Sequence, residues 1–410
     1  MNKEKGRVPK LRFPGFTEDW EQCKLDDIAK IKTGGGTPKT AKPEYWSGNI
    51  PWIQSSDLVE GDITHVNINK FINNNALKNS AAKLISRDSI ALVTRVGVGK
   101  VAVINQDFTT SQDFLSLSDF DRSDIKFLAY QLYRLMQENA KVLQGTSIKG
   151  ITKTELIEQS ISIPNSGQEQ HLISNVLSKI DSIITLHQRK LEHLNLKKKA
   201  LLQKLFPKDG ERYPELRFPG FTDAWEQCKL GDLAEIVRGA SPRPISDPKW
   251  FDNDSNVGWL RIADVTAQDG RIRYLEQKIS ELGQEKTRVI KTPHLLLSIA
   301  ATVGKPVINY VPTGVHDGFL IFLNPKFNIL YAFWWLEMFR EKWNKYGQPG
   351  SQVNLNSDLV KNQVINIPNE KEQEKISSFL ESLDKIITLH QRKLEHLQLQ
   401  KKALLQQMFV

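Results

Sequence analysis

The amino-acid sequence predicts an α+β fold: two tandem domains of mixed α/β structure, each followed by a long helix. The first observation behind this prediction is a repeated leader, because LRFPGFTEDWEQCKL at 11–25 returns as LRFPGFTDAWEQCKL at 216–230. The second is a repeated charged segment, because ITLHQRKLEHL at 184–194 returns unchanged at 387–397. The chain is therefore interpreted as two copies of one unit, and two copies favour a closed pseudo-twofold object over an open solenoid.

The repeat divides the 410-residue chain into five predicted segments. They are the first head (11–164), the first long helix (165–206), a polar linker (207–215), the second head (216–368) and the second long helix (369–410). Pro207 is expected to end the first helix, because proline lacks the amide hydrogen that would continue it. The linker is long enough for a turn.

Each head shows runs of both kinds of secondary structure. SIALVTR (89–95) and VAVI (101–104) are short apolar runs between Gly-rich turns, which is typical of strands. FLAYQLYRLMQENA (127–140) and YAFWWLEMFREKWNKY (331–346) place apolar residues three and four apart, which indicates helices. Each head is therefore predicted to be a mixed domain of about 150 residues.

The two heads diverge in sequence but keep a skeleton of matched residues. The matches are Thr37-Pro38 with Ser241-Pro242, Trp46 with Trp250, Asn49 with Asn256, Trp52 with Trp259, Asp57 with Asp264, and Gly99-Lys100 with Gly304-Lys305. The four tryptophans are interpreted as scaffold, because both copies keep them. A shared scaffold with different surface residues is expected of two domains that read two different ligands. Neutral drift after duplication is the alternative.

Both long helices carry a heptad seam, in which seam residues alternate at spacings of four and three. In the first helix the seam residues are Ile173, Leu177, Ile180, Ile184, His187, Leu191, Leu194, Lys198, Leu201 and Leu205. In the second they are Ile376, Leu380, Leu383, Ile387, His390, Leu394, Leu397, Lys401, Leu404 and Met408. The seam predicts that each helix has a helical partner, and the nearest available partner is the other copy.

A twofold axis that relates the copies would make this pair an antiparallel coiled coil with the heads at opposite ends. The helix pair is then a spacer that sets the distance between the heads. The outer faces are nearly identical in the two copies, which favours two equivalent docking surfaces for one kind of partner. We interpret His187 and His390 as polar residues that fix the register of the seam, and not as metal ligands.

Composition restricts the class of protein. The chain carries a formal net charge of +9, which suggests a polyanionic partner. No stretch approaches the ~20 apolar residues of a membrane span, and the N-terminal MNKEKGRVPK has no signal-peptide pattern. The two cysteines, Cys23 and Cys228, stand in matching contexts and reflect the repeat better than a disulfide. We expect a cytoplasmic protein without a membrane partner.

The sequence lacks the motifs of the common catalytic sites. No Cys/His cluster has zinc spacing, and neither GxxxxGK[ST] nor GxGxxG occurs. RVGVGKV (95–101) contains two of the required glycines but is better interpreted as a turn between strands. We therefore expect a binding subunit with no catalytic residue, no metal and no cofactor of its own.

The combined pattern resembles the specificity (S) subunit of Type I restriction-modification systems along the entire chain. The resemblance depends on the two-copy layout, the LRFPGF…W leaders, the GGGTP…EYW…GNIPW…D stretch at 34–57, and the paired helices that end in KKALL. It implies that each head is a target recognition domain for one half of a bipartite double-stranded DNA site. It also implies that the helices dock two methyltransferase subunits, which restriction subunits join.

In that family, S-adenosylmethionine and the adenine N6 chemistry are on the methyltransferase, and the cutting and translocation of DNA are on the restriction subunits. ATP and Mg²⁺ are accordingly expected on the restriction partner and none of these cofactors on this chain.

Exposed polar residues near predicted loops and strand ends are the candidates for DNA contact. In the first head they are Thr37, Lys39, Lys42, Gln54, Ser55, Arg95 and Lys100. In the second head they are Ser241, Arg243, Arg261, Arg271, Arg273 and Lys305. Gln54 and Arg261 precede the matched aspartates by the same three residues, which predicts that both read bases, adenine for glutamine and guanine for arginine.

Two other functions are compatible with the residues alone. One is a coiled-coil scaffold that joins two protein partners without reading DNA, although basic heads favour DNA. The other is a fused nuclease, which metal-dependent cleavage by the isolated chain would reveal.

Overall fold

The structure, a computed structural model, describes residues 8–121, 123–144, 150–300, 302–346 and 355–410. It forms two compact units. The first unit consists of Met1–Arg189 together with Arg392–Val410, and the second unit consists of Lys190–Gln391. Each unit thus contains one head, the first half of the long helix that follows it, and the last part of the other long helix. The compact units therefore cut across the helical segments predicted from the sequence.

The first head is a mixed α/β domain. Its strands are β1 (Glu21–Lys24), β2 (Ala29–Gly34), β3 (Ile50–Ile53), β4 (Phe71–Ile72), β5 (Ser89–Val93), β6 (Val101–Ile104), β7 (Thr109–Thr110), β8 (Phe114–Phe120) and β9 (Ser160–Ile163). Its helices are α1 (Leu25–Ile28), α2 (Asn74–Asn79), α3 (Ile125–Gln144) and α4 (Lys153–Ile157), with 3-10 helices at Pro43–Trp46 and Ser55–Asp57. The long helix α5 (Gly167–Lys204) follows.

The strands of the first head form three sheets. An antiparallel sheet has the order β2-β8-β5-β6, and a smaller mixed sheet has the order β4-β3-β7. The leader strand β1 pairs with β9, with Cys23 opposite Ile161. The central strand β5 is buried along its whole length, as expected for a strand that is covered on both faces. Its bounds agree with the predicted strand at 89–95 to within two residues.

The second head repeats this architecture with local changes. Its strands are β10 (Glu226–Lys229), β11 (Glu235–Arg238), β12 (Gly258–Trp259), β13 (Arg271–Ile272), β14 (Arg288–Ile290), β15 (Leu295–Ser298), β16 (Pro306–Asn309), β17 (Thr313–Val315), β18 (Phe319–Leu323) and β19 (Val364–Ile367). Its helices are α6 (Leu230–Leu233), α7 (Ile262–Ala267), α8 (Glu281–Gln284), α9 (Ile329–Phe339) and α10 (Ser357–Lys361), with 3-10 helices at Pro248–Trp250 and Arg340–Tyr346. The long helix α11 (Glu370–Gln407) follows.

The sheets of the second head correspond to those of the first. The main sheet has the order β11-β18-β15-β16-β13, the smaller sheet has the order β12-β17-β14, and the leader strand β10 pairs with β19. Cys228 lies opposite Ile365 and, like Cys23, forms no disulfide. The helix predicted at 331–346 is only partly correct, because α9 ends at Phe339 and a 3-10 helix continues the segment.

The predicted seam is the inward face of both long helices. None of its twenty residues is exposed, whereas neighbours on the outer faces, such as Leu186 and Leu389, are more than 60% exposed. Each helix has 38 residues, which gives a length of about 57 Å at 1.5 Å per residue.

In the first unit, the end of α11 completes the core. Phe409 stacks on Phe127 with ring centroids 5.3 Å apart and meets the edge of Trp20 at 6.1 Å. Lys401 Nζ lies 2.5 Å from Asp181 Oδ1, and both residues are about 95% buried. Burial raises the pKa of Asp181 even though Lys401 and the Tyr130 hydroxyl favour its charged form.

In the second unit, the end of α5 completes the core in the same way. Phe206, just after α5, packs on Tyr331 and Trp225 with centroid distances of 5.5 and 6.4 Å. Lys198 forms an ion pair with Asp384 and lies 4.8 Å from the centre of the Trp334 ring. The same aspartate–lysine pair thus occurs once in each unit.

Each leader is attached to a helix start by a buried, bidentate ion pair. Arg12 donates from Nε and Nη2 to Glu169 at 2.7 and 2.9 Å, and Arg217 donates to Glu372 at 2.8 Å from both nitrogens. Each glutamate lies in the first turn of its helix, where the macrodipole favours a negative charge. Both glutamates are 1% exposed, so neither charge has water as an alternative partner.

We expect Glu372→Ala to lower the free energy of unfolding of the second unit by about 3–5 kcal/mol, because it leaves the Arg217 guanidinium buried without its partner. Glu169→Ala should have the same effect on the first unit. Urea unfolding followed by tryptophan fluorescence measures both effects. Glu374→Ala, at an exposed position two residues further along α11, is the matched control and should change stability by less than about 0.5 kcal/mol. Equal midpoints for Glu372→Ala and Glu374→Ala would contradict the role of the pair.

Candidate nucleic-acid interface

In each head, the loop that follows one strand of the main sheet packs closely against the turn that precedes another. The loop follows β2 in the first head and β11 in the second, and the turn precedes β8 and β18 respectively. In the first head, the loop after β2 is held by the Gly36 N–H, which donates to the Thr110 carbonyl at 2.8 Å. A Cβ at Gly35 would lie 1.9 Å from the Ser111 carbonyl oxygen, so only glycine fits there. We call residues 35–39 and 111–113 the loop–turn site of the first head.

The second head has the same arrangement after β11. The Ala240 N–H donates to the Val315 carbonyl at 2.9 Å, and a Cβ at Gly239 would lie 2.1 Å from the His316 carbonyl oxygen. Residues 239–243 and 315–317 form the loop–turn site of the second head. One backbone frame therefore presents two different sets of side chains.

In the first head, the loop–turn site carries the side-chain amide of Gln112, whose orientation is fixed by a hydrogen bond. Thr37 Oγ1 donates to Gln112 Oε1 at 2.8 Å, and the Gln112 side chain is exposed. Within the described ranges, the amide nitrogen of Gln112 makes no hydrogen bond. The neighbouring Asp113 accepts from Ser111 Oγ at 3.2 Å, which stabilises the turn.

A groove of about 510 Å³ adjoins this amide. It is lined by Gln112, by Arg95 from the turn after β5, and by Lys153 from the start of α4. Arg95 is exposed, and Lys153 Nζ donates to the Lys32 carbonyl at 3.2 Å. The groove thus has two cations and the Asp113 carboxylate around a neutral hydrogen-bonding group. The cations are suited to phosphates beside a base edge.

In the second head, Asp317 is the centre of a charged network. Its carboxylate accepts from Ser241 Oγ at 2.9 Å and from Arg243 Nη2 at 2.5 Å. Its backbone carbonyl accepts from Arg238 Nε at 2.6 Å. Partial burial opposes ionisation, but the Ser241 hydrogen bond and the nearby cations hold the pKa of Asp317 below its usual value. The carboxylate is therefore ionised at neutral pH and fixes the Arg243 side chain, which is 70% exposed.

His316 lies beneath this network. Its ring packs against Phe319 and Trp259, with centroid distances of 4.9 and 5.9 Å. Burial lowers the pKa of His316, and the Gly318 N–H donates to Nδ1 at 2.8 Å. The imidazole is therefore neutral, with its hydrogen on Nε2.

The structure gives Gln54 and Arg261 the equivalent positions that the sequence predicts, but at the starts of two short helices. Their backbone N–H groups donate to Asp57 and Asp264, each at 2.9 Å. The Arg261 guanidinium also binds both oxygens of Asp264, at 3.0 and 2.9 Å. The Gln54 side-chain oxygen accepts from Lys70 at 3.2 Å. Both side chains are thus committed to local contacts.

Two of the candidate lysines also stabilise the heads internally. Lys100 Nζ donates to the carbonyls of Ser55 and Leu58 at 3.0 and 2.9 Å. Lys305 is 12% exposed and forms an ion pair with Glu337 at 2.7 Å and another, at 2.6 Å, with Asp269 in the turn between α7 and β13. Both ammonium groups therefore already have partners inside their own head.

Arg271 is likewise a structural residue. Its guanidinium forms an ion pair with Glu381 of α11, stacks 3.6 Å from the centre of the Phe333 ring, and is 11% exposed. Arg273, two residues away, is exposed and lies over the Tyr310 ring at 5.0 Å. Of these two arginines, only Arg273 is accessible to a phosphate.

The remaining candidates are accessible to different extents. Lys39 and Lys42 are exposed, and Lys42 lies 4.9 Å from the centre of the Tyr45 ring. Ser55 is half-buried. The tryptophans belong to the scaffold: Trp52, Trp250 and Trp259 are at least 94% buried and Trp46 packs edge-on against Trp52 at 5.0 Å.

Three residues of the loop–turn sites were not predicted from the sequence. Gln112, His316 and Asp317 lie in SQDF (111–114) and VHDGF (315–319), just before equivalent strands. Their matched position just before β8 and β18 is the signal that could have identified them, since Gln112 and Asp317 both lie two residues before a phenylalanine that begins a strand.

No helix in the described ranges has both the length and the apolar character that a membrane crossing requires. No group of three or more His, Cys, Asp or Glu side chains in the same ranges is arranged to hold a metal ion.

Comparisons with known proteins agree with this architecture. The sequence profile of the family described as Type I restriction modification DNA specificity domain matches twice, at 17–196 and 222–399. The chain is 30% identical over 250 residues to the Type I restriction enzyme MjaIX specificity subunit of Methanocaldococcus jannaschii, covering 58% of this chain and about half (54%) of that relative. It is 23% identical over 414 residues to the MjaVIII specificity subunit of the same organism, covering 96% and 92%.

Among solved structures, the S subunit of a Type I restriction-modification system from M. genitalium superposes with a TM-score of 0.62 at 16% identity, covering 98% of this chain and 99% of that one. This likeness shows a shared fold, a mixed α+β architecture with two tandem domains.

The two domains share one backbone arrangement at the loop–turn site but carry different polar side chains there. This combination defines the class of tandem recognition proteins. Because the profile covers most of the sequence, this chain belongs to the Type I restriction modification DNA specificity family. The resemblance inferred from the sequence is therefore confirmed, and so is the expectation of a recognition subunit that is not itself an enzyme.

We expect Arg271→Met to destabilise the second unit by about 3 kcal/mol or more, because it leaves Glu381 partly buried without its cation. Arg273→Met, the matched control at an exposed position, should change the unfolding free energy by less than about 0.5 kcal/mol. Thermal and urea unfolding of the two variants provide the comparison. If Arg271→Met were as stable as Arg273→Met, the assignment of Arg271 to the scaffold would be wrong.

Proposed function

We propose that this chain reads a bipartite, asymmetric double-stranded DNA site for a Type I restriction-modification complex, one half-site with each head. The observation that carries the proposal is that both heads hold the same loop–turn frame and differ in the polar side chains on it. Family membership supports DNA as the ligand. The net charge of +9 supports a polyanion, because each phosphate contact releases counterions.

The phosphate contacts we propose come from the accessible cations of each head. They are Lys39, Lys42 and Arg95 in the first head, and Arg273 in the second. Thr37, Ser55 and Ser241 add hydroxyl groups near these cations. Two small heads make few phosphate contacts each, so the chain alone should bind DNA weakly, and the methyltransferase should complete the complex.

We propose that α5 and α11 pair along their length as an antiparallel coiled coil with pseudo-twofold symmetry. The buried seam supports this pairing. So do the contacts within the units, since Asp181 meets Lys401 and Asp384 meets Lys198, an early residue of one helix with a late residue of the other. The pair is then a spacer that sets the gap between the half-sites.

The outer faces of the helices are the proposed docking surfaces for two methyltransferase subunits. Each helix exposes the same three apolar residues outside the seam. They are Ile183, Leu186 and Leu196 in α5, and Ile386, Leu389 and Leu399 in α11, with exposures between 43% and 67%. Exposed apolar residues that recur at equivalent positions favour two copies of one protein partner. Restriction subunits would join through that core.

The proposal assigns no cofactor to this chain. The methyltransferase partner would supply S-adenosylmethionine, and the restriction partner would supply ATP and Mg²⁺. The alternative function, a scaffold without sequence-specific reading, predicts that binding of DNA by the complex is insensitive to sequence. A salt-titrated gel shift with specific and scrambled duplexes separates the two functions.

The docking surfaces are tested by the double variant Leu186→Asp with Leu389→Asp. We expect loss of methyltransferase copurification, because two charges would be buried unpaired in apolar contacts. The fold should persist, since both positions are over 60% exposed, and the melting temperature checks this. Glu192→Ala with Glu395→Ala, about 120° away around each helix, is the control and should retain the partner. Retention of the partner by the leucine variant would contradict the proposed surfaces.

The spacer and the bipartite site are tested together by inserting four residues between Leu194 and Lys198. The insertion adds about 6 Å with a net rotation of only ~40°, which coiled coils accommodate as a stutter. We expect the bases of both half-sites to stay the same and the gap to grow by about one or two base pairs, at ~3.4 Å per step.

Mapping methylated adenines in a host that expresses the chain with its methyltransferase gives the motif and the gap. A two-residue insertion is the control, because it rotates the seam by ~200° and should abolish methylation. A four-residue variant that methylates the original motif with its original gap would show that the helices do not set the spacing.

A further inference from the structure

The loop–turn sites present one oriented hydrogen-bonding group each. We propose that Gln112 reads an A·T base pair in one half-site, and that Arg243, held by Asp317, reads a G·C base pair in the other. Thr37 and Ser241 are the positioning residues, since each donates a hydroxyl hydrogen bond from the same place in the frame. This inference rests on the proposed function, because it names the bases that the two heads recognise.

Gln112 matches the major-groove edge of adenine. That edge presents an N6 donor beside an N7 acceptor, so its reader needs one acceptor and one donor side by side. The Thr37 hydroxyl occupies one lone pair of Gln112 Oε1 and fixes the amide plane. The second lone pair and both N–H groups remain for the base. An amide whose orientation is already fixed loses less side-chain entropy when it binds.

Arg243 matches the edge of guanine, which presents two acceptors, O6 and N7. A guanidinium has five N–H donors, and the Asp317 contact uses one of them at Nη2. A charge-assisted hydrogen bond to a fixed carboxylate restricts the orientation of a side chain that is 70% exposed. Because the pKa of Asp317 is below its usual value, this support persists across the neutral pH range.

The surroundings of both groups fit a DNA backbone. Arg95 and Lys153 line the groove beside Gln112. In the second head, Arg238 and Arg288 lie next to the Asp317 network, and Arg288 Nε donates to the Arg238 carbonyl at 2.8 Å. Phosphate contacts position a reader, and base contacts specify the sequence, so each site has both components.

The loop–turn residues replace Gln54 and Arg261 as the predicted base readers. The Arg261 guanidinium is bound by both oxygens of Asp264, and the Gln54 amide oxygen is bound by Lys70. Gln112 and Arg243 are held by a single contact each and have their remaining groups available. From the sequence, Gln54 was expected to read adenine and Arg261 to read guanine. We now assign these two roles to Gln112 and Arg243.

The test uses the full complex of this chain with its methyltransferase in a host without other adenine methylation. Sequencing gives the methylation frequency for every base at every motif position. We expect Gln112→Ala to lose the preference for A·T at one position of one half-site, a drop of about 5- to 150-fold in discrimination. Arg243→Ala should lose the preference for G·C at one position of the other half-site. All other positions should be unchanged.

Further variants separate reading from stability. Gln112→Glu should change the preferred base at the same position towards cytosine, because a carboxylate accepts from cytosine N4. Thr37→Val should weaken the A·T preference, and Thr37→Ser, which keeps the hydroxyl, should restore it. Glu44→Ala, at an exposed position of the first head, is the control and should leave the motif intact.

The outcomes distinguish the inference from the proposed function. A wild-type motif without two separate halves would contradict the proposed function. A bipartite wild-type motif that remains unchanged in Gln112→Ala, Gln112→Glu and Arg243→Ala would overturn only the assignment of the readers. So would complete loss of methylation in Gln112→Ala while Gln112→Glu still prefers the original base.

Discussion

Each unit depends on an ion pair between an aspartate early in one long helix and a lysine late in the other. In the first unit the pair is Asp181 with Lys401, and in the second it is Asp384 with Lys198. The Asp181–Lys401 pair is buried, so removing either of its partners would leave a buried charge, at a cost of about 3–5 kcal/mol. The Asp384–Lys198 pair is about a fifth exposed, so the same change should cost less there. Neither unit is complete without the end of the other helix, because Phe409 and Phe206 also fill the two cores. The aspartate–lysine pair and the buried phenylalanine together join each head to the end of the other helix.

Each head makes a charged contact with α11, and the two contacts differ in whether the helix or the head carries the cation. In the first unit, Lys401 of α11 also donates to the Gly61 carbonyl, so the cation comes from the helix. In the second unit, Arg271 of the head reaches Glu381, so the cation comes from the head. The heads can therefore differ in sequence at this junction while each remains fixed to its own helix segments.

The repeat, the seam and the α+β class were predictable because they depend on periodicity, which a sequence displays directly. The seam residues from Ile173 to Met408 are buried or half-buried as the heptad spacing requires. The interface was harder to predict, because charge alone does not reveal whether a cation has an internal partner. Arg271 and Lys305 are basic and lie beside predicted loops, yet their carboxylate partners are more than thirty residues away in the sequence. Gln112 lies beyond the last landmark matched between the heads, Gly99-Lys100, so no landmark indicated it.

The close contact at Gly35 and Gly239 separates the parts of each head that maintain the fold from the exposed side chains that we propose as base readers. The glycines and the buried strands behind them fix the frame, whereas Gln112 and Arg243 extend from it into solvent. A substitution at an exposed position of this kind usually changes stability by less than about 0.5 kcal/mol. With these side chains as the proposed readers, a single codon change would alter the recognised sequence without prior stabilising mutations elsewhere.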